Sequence, residues 1–130
     1  MYHVVVGVDD ETERALRCAE EVVGLPGGPE EKSVTLIHAF VDNPNGASAT
    51  QVQSVREAAD YLEENGIEYQ IEESSGDPAD AIVTTADRED ANLILVGGRK
   101  RSPAGKALFG SVTQSVILGA ERPVMVTGVE

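Results

Sequence analysis

Residues 92–116 read Asn92-Leu-Ile-Leu-Val-Gly-Gly-Arg-Lys-Arg-Ser-Pro-Ala-Gly-Lys-Ala-Leu-Phe-Gly-Ser-Val-Thr-Gln-Ser-Val116. The unbroken apolar run at 93–96 is the pattern of a strand buried on both faces. The chain then breaks at Gly97-Gly98, crosses a basic stretch, and restarts at Gly110-Ser111, where Val112, Val116 and Leu118 mark a short helix. Strand, glycine turn, basic loop, glycine-serine and helix together make an anion-binding layout. Glycines let a backbone approach a ligand closely, and a helix N-terminus offers unpaired N–H groups and the positive end of its dipole.

Charge supports that layout. The chain carries 23 acids against 10 bases, yet Arg99, Lys100, Arg101 and Lys106 are four of those bases, and no Asp or Glu occurs between residues 91 and 120. A positive island in a chain of net charge −13 is a place to receive a phosphate. The remaining acidity is scattered and suits a cell interior at high salt. It argues against a nucleic-acid partner, since nonspecific binding needs a broad basic face.

Outward from this stretch, the chain alternates. Tyr2-His-Val-Val-Val-Gly-Val-Asp9 is a β-branched strand running into Asp9-Asp10, a helix cap. Ala15, Leu16, Ala19, Val22 and Val23 then recur at helical spacing over 12–23, and glycines and prolines end that helix. A second strand covers 33–40, and a second helix ends at Asn65-Gly66. Ile67, Tyr69 and Ile71 alternate with Glu68, Gln70 and Glu72, the pattern of a half-exposed edge strand. Asp77 caps a third helix with Pro78 at its first position, and Pro123-Val-Met-Val-Thr127 is a last strand. Five strands alternating with four helices predict an α/β fold, a parallel sheet covered by helices on both faces.

The length of 130 residues suits a single domain spanning 1–130. The apolar start at residues 4–8 lacks a basic leader, and no run approaches the roughly 20 apolar residues of a membrane span. Cys18, the one cysteine, excludes an internal disulfide and reads as a small buried residue of the first helix. A cytoplasmic protein with no membrane partner is expected.

Several chemistries are poorly served. Gly105-Lys106-Ala107 resembles the tail of a phosphate-binding Walker loop, but Lys100 and Ala107 replace its glycine and its Ser or Thr. No dinucleotide glycine fingerprint follows a strand, and His3 and His38 lack zinc-site spacing and read as structural. No serine has the elbow of a nucleophile, so no catalytic residue and no metal ligand is assigned. In an open parallel sheet a ligand binds at the carboxyl ends of the strands where the strand order reverses; Gly7-Val8-Asp9 and Gly97 stand at two such ends. Asp9 is suited to hydrogen-bond a ribose or to help hold a cation beside phosphates.

The start Val4-Val-Val-Gly-Val-Asp9, then Leu36-Ile-His-Ala-Phe40, Gly76-Asp77-Pro78, Leu95-Val-Gly97, Leu108-Phe-Gly-Ser-Val112 and Arg122-Pro-Val-Met-Val126, in this order, resemble the universal stress protein family. The resemblance implies a Rossmann-like fold of the adenine nucleotide alpha hydrolase-like kind, its five parallel strands in the order 3-2-1-4-5. It also implies a homodimer through the last strand, Arg122 to Val126. The family divides into members that bind ATP and members that do not. The binders share Gly-x-x-Gly, nine residues, then Gly-Ser or Gly-Thr. Here Gly97 and Gly110-Ser111 fit that frame, while Lys100 replaces the middle glycine. By resemblance, Val8, Asp9, Ala39 and Val96 form the adenine side of a pocket, with Gly97, Lys100, Gly110, Ser111, Val112 and Thr113 on the phosphate side; Ser111 also reads as the N-cap of the fourth helix.

Lys100 leaves two readings open. A left-handed lysine costs about 1–2 kcal/mol where glycine is required. A charge-assisted contact to phosphate contributes about 1.5–3 kcal/mol, so the effects nearly cancel. The first reading is a nucleotide-responsive regulatory or protective module of stress response that binds ATP or AMP, ATP with Mg²⁺, and turns it over slowly if at all. The alternative is a dimeric protein-interaction module whose pocket Lys100 closes. An adenylating enzyme would need a substrate domain beyond these 130 residues.

Overall fold

The computed structural model describes residues 1–40, 48–98 and 110–128. Strands β1 (Tyr2–Gly7), β2 (Lys32–Phe40), β3 (Glu68–Ser75), β4 (Leu93–Gly97) and β5 (Val124–Thr127) alternate with helices α1 (Thr12–Gly24), α2 (Gln53–Glu64), α3 (Pro78–Arg88) and α4 (Ser111–Gly119). All strand pairs are parallel and the order is β3-β2-β1-β4-β5, as the family resemblance implies.

The strand pleat divides the core into two layers, because successive side chains point to opposite faces. Val4, Val6 and Val8 join Leu36 and Leu95 against Ala15, Cys18, Val22, Val55 and Leu62 of α1 and α2. Val5 turns the other way, with Ile37, Ile94 and Val96, onto Ile82, Ala86 and Val116 of α3 and α4. Central strands therefore read as continuous apolar runs, whereas β3, at the sheet's edge, alternates between half-buried and exposed residues. Cys18 lies inside the first layer, and burial pushes its thiol up to about 12, so it is inert at neutral pH.

Helix ends follow local chemistry. Asp77 Oδ2 accepts from the Asp80 amide at 3.0 Å, with Pro78 at the first helical position, as expected. Gly66 takes φ 75° just past α2, where a side chain would be strained. Two expected caps are corrected. The N-cap of α1 is Glu11, while Asp9 Oδ1 accepts from the Glu11 amide at 2.9 Å, an Asx turn leading into the helix. The N-cap of α4 is Gly110, with extended backbone, and Ser111 is one position too late to cap. Strand β5 begins at Val124, one residue after Pro123, which has no N–H for the ladder.

The strand order positions the site. From β1 the chain builds outward to β2 and β3 on one side, then crosses to β4 and β5 on the other. Their helices leave on opposite faces, and a crevice opens beyond the carboxyl ends of β1 and β4.

Candidate functional site

The end of β1 is tied down from three directions. The Val8 amide donates to Ile37 O at 2.9 Å. His38 Nδ1 donates to Val8 O at 2.7 Å, since a carbonyl can only accept. Ser54 Oγ of α2 donates to Asp9 O at 2.6 Å. The Asp9 carboxylate is committed at both oxygens, Oδ1 to the Glu11 amide and Oδ2 to Arg14 Nε, each at 2.9 Å. On the other side of the crevice, Thr113 Oγ1 donates to Gly97 O at 3.0 Å and fastens the first turn of α4 to the end of β4.

Between them lies a cleft of about 210 Å³. Val8, Asp9, Ala39, Val96, Gly97, Gly110, Ser111, Val112 and Thr113, nine of the ten residues singled out in the sequence, line it together. The tenth, Lys100, lies outside the described residues, as do Arg99, Arg101 and Lys106 of the basic island and Leu108-Phe109. The cleft has two kinds of wall. Ile37, Ala39, Pro78, Ile82, Val96 and Val112 are apolar, and Asp9, Asp10 and Arg14 are charged. Gly7 was placed only at the ligand-binding end of β1, and Asp10, Arg14, Ile37, His38, Pro78 and Ile82 were not assigned to the site from the sequence. Pro78 and Ile82 carried only the signal of a helix start and its buried face, which points to packing rather than to a ligand.

The glycines at the end of β4 are closely packed. Neither Gly97 nor Gly98 has a positive φ. A Cβ on Gly97 would sit 2.9 Å from Arg14 Cδ, and one on Gly98 would sit 2.6 Å from the Thr127 carbonyl oxygen. Both glycines make room for the protein's own atoms, and Gly97 also lines the cleft.

A second polar cluster lies near the amino ends of β1 and β2, opposite the cleft. His3 Nδ1 and Ser33 Oγ are 2.6 Å apart, His3 Nε2 and Glu89 Oε1 2.7 Å, and Thr35 Oγ1 donates to Glu89 Oε1 at 2.6 Å. Burial pushes the Glu89 carboxyl up, but hydrogen bonds from Glu72, Thr35 and His3 outweigh it and hold the group at about 2. The same contact with Glu89, together with burial, raises Glu72. Both histidines are thus bound into the framework, although His38 also borders the cleft. Among the described residues no group of three or more His, Cys, Asp or Glu is arranged to hold a metal. No described helix is long and apolar enough to cross a membrane.

Fold and cleft together define a doubly wound α/β protein with a crevice at its topological switch point. The chain belongs to the universal stress protein family, whose model matches residues 1–128. It is similar to a universal stress protein of Mycolicibacterium smegmatis, 35% identical over 88 residues. That match covers 67% of this chain and 65% of the relative, so the chain spans just under two thirds of the relative's length. Among solved structures it resembles a universal stress protein from Archaeoglobus fulgidus, with 31% identity, a TM-score of 0.73 and 98% of each chain covered. A universal stress protein in complex with cAMP is 26% identical at a TM-score of 0.75, covering 99% of this chain and 98% of that one. A universal stress protein from Archaeoglobus fulgidus in complex with dAMP is 26% identical at a TM-score of 0.68, covering 98% of each chain.

Proposed function

We propose that this universal stress protein is a regulatory or protective module whose crevice binds an adenine nucleotide, AMP or ATP, and that it responds to stress through that ligand. The observation that carries the reading is the convergence of nine residues from four separate parts of the chain on one cleft at the carboxyl ends of β1 and β4. The cAMP and dAMP complexes of similar proteins support the adenine class.

The division of labour follows from the walls. The apolar side, Ala39, Ile82, Val96 and Val112, suits a purine ring, and Asp9 faces the ribose. The start of α4 at Gly110, Ser111 and Val112 presents N–H groups to phosphate, with Thr113 bracing that turn on Gly97. Lys100 is the further phosphate contact. Mg²⁺ arriving with ATP would be held chiefly by the ligand's phosphates, and Asp9 and Asp10 are the carboxylates at hand. Turnover is slow at most: Asp9 has both oxygens engaged, so it is not set up as a general base. We further propose that residues 1–130 act as one cytoplasmic domain that pairs with a second copy through Arg122-Pro-Val-Met-Val126.

The test is the melting temperature with AMP, cAMP and Mg²⁺-ATP, for wild type and Lys100→Gly. A ligand at 100 times its dissociation constant stabilises by about 2.7 kcal/mol, a shift of several degrees for a domain of this size. No shift in wild type but one in Lys100→Gly would replace this reading with an interaction module whose pocket the lysine closes.

A further inference from the structure

Arg14 is placed with more care than a surface ion pair needs. Its stem crosses the end of β4 over Gly97, where an added Cβ would lie 2.9 Å from Cδ and 3.2 Å from Cβ and Cγ. Since Gly97 has no positive φ, its missing side chain serves as the slot that the stem occupies. The slot delivers the guanidinium to the Asp9 carboxylate, with Nε donating to Oδ2 at 2.9 Å. That contact uses one of five N–H donors. Among the described residues, the two outer nitrogens of the fork have no hydrogen-bond partner.

The surrounding charge gives those nitrogens a task. The described walls carry two carboxylates, Asp9 and Asp10, against the single cation Arg14, on a chain of net charge −13. A phosphate monoester entering such walls is repelled unless a cation meets it directly. The Thr113 to Gly97 hydrogen bond sets the first turn of α4 next to the residue that Arg14 crosses. A phosphate resting on that turn therefore lies beside the guanidinium, whose planar fork suits two phosphate oxygens.

We propose that Arg14 is the residue by which the cleft distinguishes a nucleotide from a nucleoside: its outer nitrogens hold the 5′-phosphate while Nε keeps Asp9 oriented. This rests on the adenine-nucleotide reading of the cleft and goes beyond it, since it adds a counter-ion of the phosphate on α1 to the contact proposed for Lys100.

The experiment titrates AMP and adenosine calorimetrically into wild type, Arg14→Met and Arg14→Gln, with melting curves to show that each variant is folded. Methionine keeps a long stem over Gly97 without charge; glutamine keeps a polar end should methionine fail to fold. Wild type should favour AMP over adenosine, and both variants should lower that preference on the order of 10- to 100-fold, with adenosine binding unchanged. The proposal is overturned by an unchanged preference, or by equal weakening of both ligands, which would make Arg14 a prop for Asp9. Wild type that binds adenosine as tightly as AMP also overturns it, though the adenine reading would stand. Wild type that binds neither removes the nucleotide reading and this proposal with it.

Discussion

The Lys32 ammonium donates to the Leu25 carbonyl at 2.6 Å, although the residue is only 2% exposed. It also donates to Val22 O and Val23 O, each at 3.1 Å. Helix α1 ends at Gly24, where the Leu25 amide reaches back only to Val22 O at 3.2 Å, and its last carbonyls carry the negative end of the dipole. Three N–H donors meet three carbonyls, and Lys32, the first residue of β2, locks α1 to the sheet. Lys32→Met keeps the stem and removes every donor. It should cost about 2–4 kcal/mol, seen as a lower urea midpoint at unchanged slope. A midpoint equal to wild type would show that the ammonium contributes nothing net.

That lysine marks the boundary of what was legible in the sequence. Patterns set by near neighbours were readable: the run at 93–96, the alternation along β3, and Asp77-Pro78 opening α3. The strand order came through the family resemblance, because periodicity alone does not order strands. Lys32 carries no signal of its own in the sequence, since its partners lie across a turn that the pattern of apolar residues does not describe. Arg14 was overlooked for a similar reason. Its bond to Asp9 spans only five residues, but the slot that gives it a place belongs to Gly97, at the end of β4 and far along the chain. The misplaced cap at Ser111 reflects a weaker rule, since Gly and Ser both serve as N-caps and the backbone chose Gly110.

The cluster around Glu89 predicts how stability responds to acid. Its folded carboxyl titrates at about 2, below the ordinary 4.5, so the stabilisation it supplies is fully present above pH 4.5 and is lost as the pH falls towards 2. Glu72 acts in the opposite sense: its raised carboxyl favours the fold below pH 4.5, and that contribution fades as the pH rises. The two act against each other, so the loss expected on acidification is the part of the Glu89 contribution that Glu72 does not offset. Glu89→Gln should flatten the pH dependence of the urea midpoint between pH 5 and about 2.5, a window within that loss. A variant as acid-sensitive as wild type would assign the loss to other carboxylates.

Gly7 couples the sheet to the cleft wall. An added Cβ there would run into Ile82 Cδ1 and lie 3.3 Å from Val96 Cγ1, both side chains of the apolar wall. Gly7→Ala should therefore push Ile82 towards the ligand space. The expected cost is about 1–3 kcal/mol of stability and a smaller melting shift with AMP. Ile82→Val deletes the clashing methyl, so the double variant Gly7→Ala/Ile82→Val should recover stability relative to Gly7→Ala. Purely additive losses in that cycle would place the strain elsewhere.

The last relationship concerns the outer edge of the sheet. Among the described residues β5 pairs only with β4, and Val124, Met125 and Val126 are half-buried in the chain alone. An edge strand without a charge is usually covered, because its free N–H and C=O groups otherwise recruit another strand. Leu118, 84% exposed, and Ile117, 42% exposed, extend apolar surface along α4. If two copies meet through β5 in a two-fold arrangement, each side chain near the axis faces its own copy or a close neighbour. Val124→Lys would then set like charges against each other, which is destabilising across paired strands. Sedimentation should give a dimer for wild type and a monomer for Val124→Lys. Because β5 contributes nothing to the lining of the cleft, the variant should keep its melting shift with AMP. A variant that remains dimeric would move the interface away from β5, and a monomer that loses the shift would mean that pairing and ligand binding are coupled.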